Sequence, residues 1–143
     1  MSHTGFLFDV NVLIALLDDE HVHHKHVARW FNTIRDSWGT CAFTETGFLR
    51  LVTNGTTGRF KVTEAIAALR ELSRLSGFRF WPSAEGWIAL ASPFSSRIQG
   101  SRQITDAYLL GLAVKANGTL VTLDKGIRHL AGERYAKHVL VLE

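Results

Sequence analysis

Four acidic residues of this 143-residue chain occupy positions where their carboxylates would meet in a folded protein. Asp9 and Asp124 each follow a short apolar segment of the kind that forms a buried strand, whereas Glu45 and Asp106 stand at the starts of apolar helical patterns. In an open parallel sheet, ligands bind outside the carboxyl ends of the strands. Carboxylates gathered there repel one another, so they require protons or a bound cation. If the fold brings the four together, the pattern predicts an acidic cation site.

The two helical acids lie on the apolar side of their predicted helices. Apolar residues follow both Glu45 and Asp106 at offsets of three, four and seven, and residues spaced in this way share one helix face. An acid in a first helical turn is favoured by the helix dipole alone, and an acid after a strand is commonly a turn residue or a cap. Each acid by itself therefore has a structural explanation, but the inward orientation of both helical acids favours a functional one.

Oxygen ligands without cysteine or paired histidine suit a hard cation, Mg²⁺ or Mn²⁺. One or two such ions activate water and stabilise the charge that develops during in-line attack on a phosphate. A zinc site is the alternative, because four histidines cluster near one helix start and two of them could share a face of that helix. The absence of a nearby cysteine or clear third ligand favours a solvated helix start instead. The four are His21, His23, His24 and His26.

Short apolar segments alternate with helical patterns along the whole chain. Strands separated by helices imply right-handed crossovers and a mainly parallel sheet covered by helices on both faces. The pattern therefore predicts an α/β fold with five strands. The predicted strands are 5–8, 41–43, 78–81, 120–123 and 139–142, and the predicted helices are 10–17, 23–35, 44–52, 64–75, 84–91, 104–116 and 127–130.

Composition limits the class of protein. With 46% hydrophobic and 20% charged residues the chain has ordinary globular usage, and its length is that of one domain, residues 1–143. Cys41 is the one cysteine, so an internal disulfide framework is excluded. No apolar run approaches the roughly 20 residues of a membrane span, and no secretory signal is visible, so a cytoplasmic protein without a membrane segment is expected.

The net charge of +3 is compatible with a nucleic-acid partner, although it does not establish one. Eleven of the sixteen basic residues are arginine, whose planar guanidinium binds phosphate oxygens in pairs. Several basic residues flank the loops near the four acids, and they are candidates for phosphate contact as much as for ordinary surface solvation. These are Arg50, Arg59, Lys61, Arg97 and Arg102.

The segments around the four acids resemble the motifs of PIN-domain ribonucleases and, more narrowly, those of the VapC toxins of bacterial toxin–antitoxin pairs. The resemblance runs over nearly the whole chain and keeps four motifs in order. The motifs are Phe8-Asp9-Val10-Asn11-Val12-Leu13-Ile14, Thr44-Glu45-Thr46-Gly47-Phe48-Leu49-Arg50, Ile104-Thr105-Asp106-Ala107-Tyr108-Leu109 and Thr122-Leu123-Asp124-Lys125-Gly126.

The resemblance implies a three-layer α/β/α sandwich with a five-stranded, mainly parallel sheet, and an endonuclease that cuts RNA with Mg²⁺ or Mn²⁺. By match to the motifs, the acids that bind metal and carry catalysis would be Asp9, Glu45, Asp106 and Asp124. The position of Asp124 is the most variable of the four in the family. It would hold a second ion or only a water.

The same resemblance implies supporting residues and partners. Asn11 and Thr105 fall where the family often has small polar residues beside the acids. The family also implies a homodimer that is inhibited by a small VapB-like antitoxin covering the active site, with an antitoxin arginine reaching the acids in several relatives. No base-reading motif identifies the RNA.

Two other classes of protein remain open at this stage. A receiver domain of a signalling pathway is also an α/β sandwich with Mg²⁺-binding acids, but it needs an acid pair after the first strand, and here Val10-Asn11 follows Asp9. A PIN fold that only binds a partner would not need all four acids. The four acids therefore favour a nuclease over both alternatives.

Overall fold

The central sheet of the computed structural model, which describes residues 3–143, has four parallel strands in the order β2-β1-β3-β4. Side chains alternate between its two faces, so that Leu7 and Leu120 enter one apolar core while Phe8 and Val121 enter the other. All four of these side chains are fully buried, as expected for a parallel sheet with both faces covered. The strands are β1 Phe6–Phe8, β2 Trp38–Gly39, β3 Thr119–Thr122 and β4 Val139–Val141.

Helices cover both faces of this sheet, which confirms the predicted three-layer α/β/α architecture. One face carries α1 Val10–Leu17, α2 His24–Phe31, α3 Ala42–Val52 and α4 Val62–Ser73. The other carries α5 Trp87–Ala91, α6 Arg102–Lys115, α7 Gly126–Ala131 and the 3₁₀ helix Ser92–Arg97. A second 3₁₀ helix, Ala136–His138, leads into β4. None of the helices within residues 3–143 has the length and apolar character needed to cross a membrane.

The predicted fifth strand, residues 78–81, is an extended segment beside β2 rather than a full strand. The Trp38 N–H donates to the Gly77 carbonyl at 3.0 Å, and the Arg79 and Trp81 N–H groups donate to the carbonyls of Trp38 and Thr40, both at 2.8 Å. Only the pair Trp38 and Phe78 forms a bridge. The prediction of five strands was therefore wrong in number, because β2 is two residues long and offers too short an edge for a regular fifth strand.

The second predicted strand, residues 41–43, was also wrong. That strand lies at Trp38–Gly39, and Ala42 already begins α3. The Thr44 hydroxyl accepts a hydrogen bond from the Cys41 N–H and donates one to the Cys41 carbonyl, both at 3.0 Å. These bonds satisfy backbone groups at the helix start, so the apolar run Cys41-Ala42-Phe43 turns into a helix instead of extending.

Gly39 allows the segment 78–81 to approach β2 closely, which generates a stability prediction. A Cβ at position 39 would stand 1.8 Å from the Arg79 carbonyl oxygen, a backbone atom that cannot move aside cheaply. We expect Gly39→Ala to lower the free energy of unfolding by about 1–3 kcal/mol, the usual cost of overpacking, in urea titrations followed by circular dichroism. Gly55→Ala is the control, because no atom lies within 4 Å of the corresponding Cβ. Equal stability of the two variants would contradict this account.

Candidate active site

Asp9 is a buried carboxylate at the point where β1 ends and α1 begins. Its backbone N–H donates to the Val121 carbonyl at 3.0 Å, which extends the pairing of β1 with β3 by one residue. Its side chain caps α1 by accepting from the Val12 N–H at 2.9 Å, and it also accepts from the Thr122 hydroxyl. Two elements of the sheet and one helix therefore fix the carboxylate in position.

Asp124 and Asp106 approach Asp9 from β3 and α6. The Asp124 N–H donates to the Thr122 hydroxyl at 3.0 Å, so this one hydroxyl links Asp9 to the backbone of Asp124. Asp106 is half-buried on the face of α6 that also buries Leu109 and Leu110, as the spacing predicted. Because α6 begins at Arg102 rather than Ile104, Asp106 lies in the second helical turn and not in the first.

Burial and nearby negative charge raise the pKa values of Asp9 and Asp106. Burial raises the pKa of Asp9 to about 6, against the opposing hydrogen bonds from Thr122 and Val12, and the charge of Asp124 raises it further. Burial also raises the pKa of Asp106 to about 7, with contributions from the charges of Asp9 and Asp124. Such charge effects act between carboxylates that lie near one another. The structure thus brings together three of the four predicted acids at the carboxyl end of the sheet.

Glu45 is positioned on α3 by a different contact. Its Oε2 accepts a hydrogen bond of 2.6 Å from the hydroxyl of Thr40, a fully buried residue just after β2. Within residues 3–143, no group of three or more His, Cys, Asp or Glu side chains is arranged to enclose a metal ion. The carboxylates are instead turned toward hydrogen-bond donors of the protein, Asp9 toward Thr122 and Glu45 toward Thr40.

The donor set nevertheless fits a divalent cation in type and charge. All of its side-chain ligands would be carboxylate oxygens, which hard ions prefer. Burial raises the pKa of Asp9 and of Asp106, and the charges of neighbouring aspartates add to this, so a cation between them would remove an electrostatic penalty. Each oxygen that accepts one hydrogen bond keeps a second lone pair for a ligand.

The two predicted supporting residues line one cavity beside the aspartates. Asn11 and Thr105, each next to or near an acid in sequence, face a space of about 530 Å³ together with Gly47 and Arg50. The Asn11 backbone N–H also lowers the pKa of Asp9 by hydrogen bonding. Thr105 directly precedes Asp106 on α6, and the supporting role of both residues stays a prediction.

Thr122 and Thr40, the hydroxyl donors to Asp9 and Glu45, were not identified from the sequence. Both are fully buried. The sequence did contain a signal for each. Thr122 stands two residues before an acid at the end of an apolar strand, and Thr40 directly follows a strand. A buried hydroxyl needs a hydrogen-bond partner, and the neighbouring carboxylate supplies it.

Two sets of sequence candidates serve a structural purpose. Arg59 binds Asp18 through Nε at 3.0 Å and Nη2 at 2.6 Å, contacts Glu20 as well, and lowers the pKa of Asp18. It therefore ties the loop after α3 to the end of α1 rather than standing free for phosphate. Among the histidines, His24 Nδ1 donates to the Ala15 carbonyl at 2.8 Å, a contact that joins α2 to α1.

The raised pKa values predict how pH affects the metal-free protein. Between about pH 4 and pH 7 the folded state binds more protons than the unfolded state, so the free energy of unfolding falls as pH rises. Asp106→Asn removes one of these charges. In EDTA at pH 8 it should be more stable than wild type by at least about 1 kcal/mol, since one pKa unit corresponds to about 1.4 kcal/mol. Urea titrations at pH 5 and pH 8 measure this.

Glu71→Gln on exposed α4 makes the same charge change away from the acids and serves as the control. It should leave the difference in stability between pH 5 and pH 8 as in wild type. An Asp106→Asn protein that is less stable than wild type at pH 8 would show that the carboxylate is not under electrostatic strain.

Comparison with known proteins identifies the family of this chain. The PIN domain family model matches residues 6–133. Ribonuclease VapC29 of Mycobacterium tuberculosis is 36% identical over 127 residues, which cover 89% of this chain and 91% of the relative. Ribonuclease VapC38 of the same organism is 37% identical over 131 residues, covering 90% and 91%. Ribonuclease VapC44 is 37% identical over 123 residues, covering 85% and 87%. The chain therefore belongs to the PIN domain family and, within it, to the VapC group.

Proposed function

We propose that this chain is an endoribonuclease that hydrolyses RNA phosphodiester bonds with Mg²⁺ or Mn²⁺ and acts as the toxin of a toxin–antitoxin pair. The observation that carries the proposal is the convergence of Asp9, Asp106 and Asp124 at the carboxyl end of the sheet, in a chain that matches ribonucleases over almost its full length. Residues 1–143 would form a single nuclease domain.

The chemistry follows from what each side chain can do. When bound, Mg²⁺ or Mn²⁺ supplies Lewis-acid activation of the phosphate and of an attacking water. Asp9, held by Val12 and Thr122, offers a preoriented carboxylate, and Asp106 supplies a second one from the apolar face of α6. Asp124, which is exposed, assists from the solvent side. Glu45, whose carboxylate accepts a hydrogen bond from Thr40, would supply a further oxygen.

Neither Asp9 nor Asp106 is fully ionised near pH 6 without a cation, because burial and the charges of neighbouring aspartates favour the protonated form. Asp106 would have to give up its proton to hold a cation at neutral pH. Hydrolysis would leave a 5′-phosphate and a 3′-hydroxyl.

The regulatory side of the proposal is a small VapB-like antitoxin that covers the acids. An arginine from such a partner would neutralise the carboxylates that a cation otherwise holds. A short upstream reading frame encoding a small DNA-binding protein would support this role. Since the one cysteine is buried and unpaired, a reducing cytoplasm suits the chain.

Asp9→Asn tests the nuclease directly. The asparagine oxygen can still cap α1, and the Thr122 hydroxyl can accept from the new amide, so the fold should persist. Loss of the negative charge removes the principal cation ligand. We expect cleavage of RNA in Mg²⁺ or Mn²⁺ to fall at least about 100-fold, the effect of losing several kcal/mol of charge stabilisation.

Asp19→Asn is the matched control, because Asp19 is an exposed aspartate that follows α1. It should cleave like wild type, and both variants should unfold at temperatures close to that of wild type. The nuclease assignment would fall if Asp9→Asn cleaved RNA at the wild-type rate, or if EDTA had no effect on wild-type cleavage.

We also propose that the chain forms a homodimer through the exposed apolar surface of α3 and α6. Phe43 and Leu51 of α3 are 45% and 49% exposed, Ile104 of α6 is 44% exposed, and Phe43 packs beside Tyr108 with ring centroids 5.9 Å apart. Phe43 and Leu51 line one continuous groove together with Thr105. Exposed apolar surface of this kind is typical of a protein interface.

Leu51→Glu should convert the dimer into a monomer, because it places a charge in the apolar contact. Light scattering coupled to size-exclusion chromatography measures the mass. Val22→Glu, at a residue that is 86% exposed near α2, is the control and should remain dimeric. A wild-type protein that elutes as a monomer at micromolar concentration would contradict the proposal.

A further inference from the structure

A basic cavity lies at the opposite end of α7 from Asp124. It has a volume of about 220 Å³ and opens between the 3₁₀ helix Ser92–Arg97 and the residues that follow α7. Two arginines, Arg97 and Arg134, line it together with Ser96 and Tyr135. None of these residues belongs to the acidic site.

Both arginine side chains pack against a neighbouring residue while they remain exposed to solvent. Arg97 lies directly against Gly132, where a Cβ would overlap its Nη1, and Gly132 has a φ of +64° that favours glycine. The Arg134 guanidinium carbon stands 5.3 Å from the centre of the Tyr135 ring, a cation–π distance. Tyr135 in turn packs edge-on against buried Phe94, with centroids 5.1 Å apart. Arg97 and Arg134 therefore border the same cavity, and each packs against a neighbouring residue.

Neither Arg97 nor Arg134 forms an ion pair with any acid within residues 3–143. By contrast, Arg59 and Arg128 are paired with carboxylates. Glu133 is exposed beside the cavity, and no ion pair joins it to either arginine in this part of the chain. Two unneutralised guanidinium groups around one small space suit a phosphate, whose oxygens accept paired hydrogen bonds from each.

A series of polar contacts leads from Asp124 to His129 of α7 and to Gln99, which follows Arg97 by two residues. The Gly126 N–H donates to Asp124 Oδ1 at 2.8 Å, and a Cβ on Gly126 would stand 3.7 Å from Gln103 Nε2. Gln103 Oε1 accepts from the Gln99 N–H at 2.7 Å, and Gln99 Nε2 lies 3.5 Å from His129 Nε2. We call Gln103, Gln99 and His129 the α7 band. It follows α7, whose six residues span roughly 9 Å at 1.5 Å each.

We propose that the cavity between Arg97 and Arg134 binds a backbone phosphate of the RNA strand that is cleaved at the acids, and that the strand follows the α7 band between the two points. The proposal rests on the proposed ribonuclease function. Phosphates of one strand follow one another about every 3.4 Å along a helix axis, so a short stretch of RNA covers the length of α7. The amides and imidazole of the band can bond sugar hydroxyls and base edges along that stretch.

The binding test uses the cleavage-deficient Asp9→Asn protein and a fluorescent single-stranded RNA of about 16 nucleotides. Adding Arg97→Ala and Arg134→Ala should raise Kd about tenfold, because two phosphate-binding cations are lost. The slope of log Kd against log salt should fall in magnitude by about 0.7 for each phosphate contact removed from a single strand. The double lysine variant, R97K with R134K, should bind with intermediate affinity, since it keeps the charge but not the planar fork.

The control pair is Arg70→Ala with Arg74→Ala, which removes the same charge from exposed positions in and directly after α4, on the other face of the sheet. It should leave Kd within about twofold of the parent and the salt slope unchanged. Equal weakening in both pairs would reduce the effect to net charge and overturn the phosphate site. So would an unchanged Kd in a correctly folded Arg97 and Arg134 variant, or a change only in its oligomeric mass, which would indicate a protein contact.

The activity test separates this proposal from the proposed function. In a protein with Asp9 intact, Arg97→Ala with Arg134→Ala should raise KM for the long RNA about tenfold and leave kcat unchanged. Cleavage of a dinucleotide, whose single phosphate lies at the acids and leaves none for the cavity, should match wild type. Loss of kcat on both substrates would overturn the phosphate site while leaving the nuclease intact. A wild-type protein that binds RNA through the arginines yet never cleaves it would refute the nuclease and leave the binding site standing.

Discussion

The arrangement of the site depends on one buried carboxylate at a strand end. Asp9 is 5% exposed, and an ionised carboxylate in such a place loses its hydration. The hydrogen bonds from Val12 and Thr122 offset part of this cost, and both depend on the backbone. Val12 donates only if α1 starts at Val10, and Thr122 reaches Asp9 only if β1 and β3 are neighbours in their observed register. The sheet order and the first helix are therefore tied to the position of one side chain.

The remaining electrostatic cost arises among the carboxylates of the site, where a bound cation would reduce it. The helix α6 positions Asp106 in the site, and α5 packs closely against α6. A Cβ on Gly111 of α6 would stand 2.0 Å from the Leu90 carbonyl oxygen of α5, so only glycine permits this approach. The packing that buries Leu109 on α6 therefore also brings Asp106 toward Asp9. Stability supplied by the apolar core holds like charges together that would otherwise separate.

The sequence was informative about the site wherever one rule decided the geometry. Carboxyl ends of parallel strands share an edge, so the strand pattern alone places Asp9 and Asp124 together. The helical spacing around Asp106 likewise gives its inward direction. The conformation of residues 41–43 was not predictable from the apolar pattern, because a short apolar run suits a strand or a buried helix start, and the Thr44 hydrogen bonds to Cys41 decide between them. The buried threonines at positions 40 and 122 were not predicted as partners of the acids, because a single hydroxyl in or just after an apolar strand has no periodic signature.

The charge pattern of the sequence did not predict the role of each arginine, since the surroundings of the side chain in the fold decide it. Arg59 and Arg97 both flank a loop, and in sequence they are equivalent candidates for phosphate contact. In the fold, Arg59 meets Asp18 and Glu20 and closes a loop, whereas Arg97 lies over Gly132 without an acidic partner in the described chain. A glycine with positive φ supports the second guanidinium where a side chain would displace it. The distribution of acids around each cation, rather than the net charge of +3, therefore separates the arginine that stabilises this protein from one that is free to bind an anion.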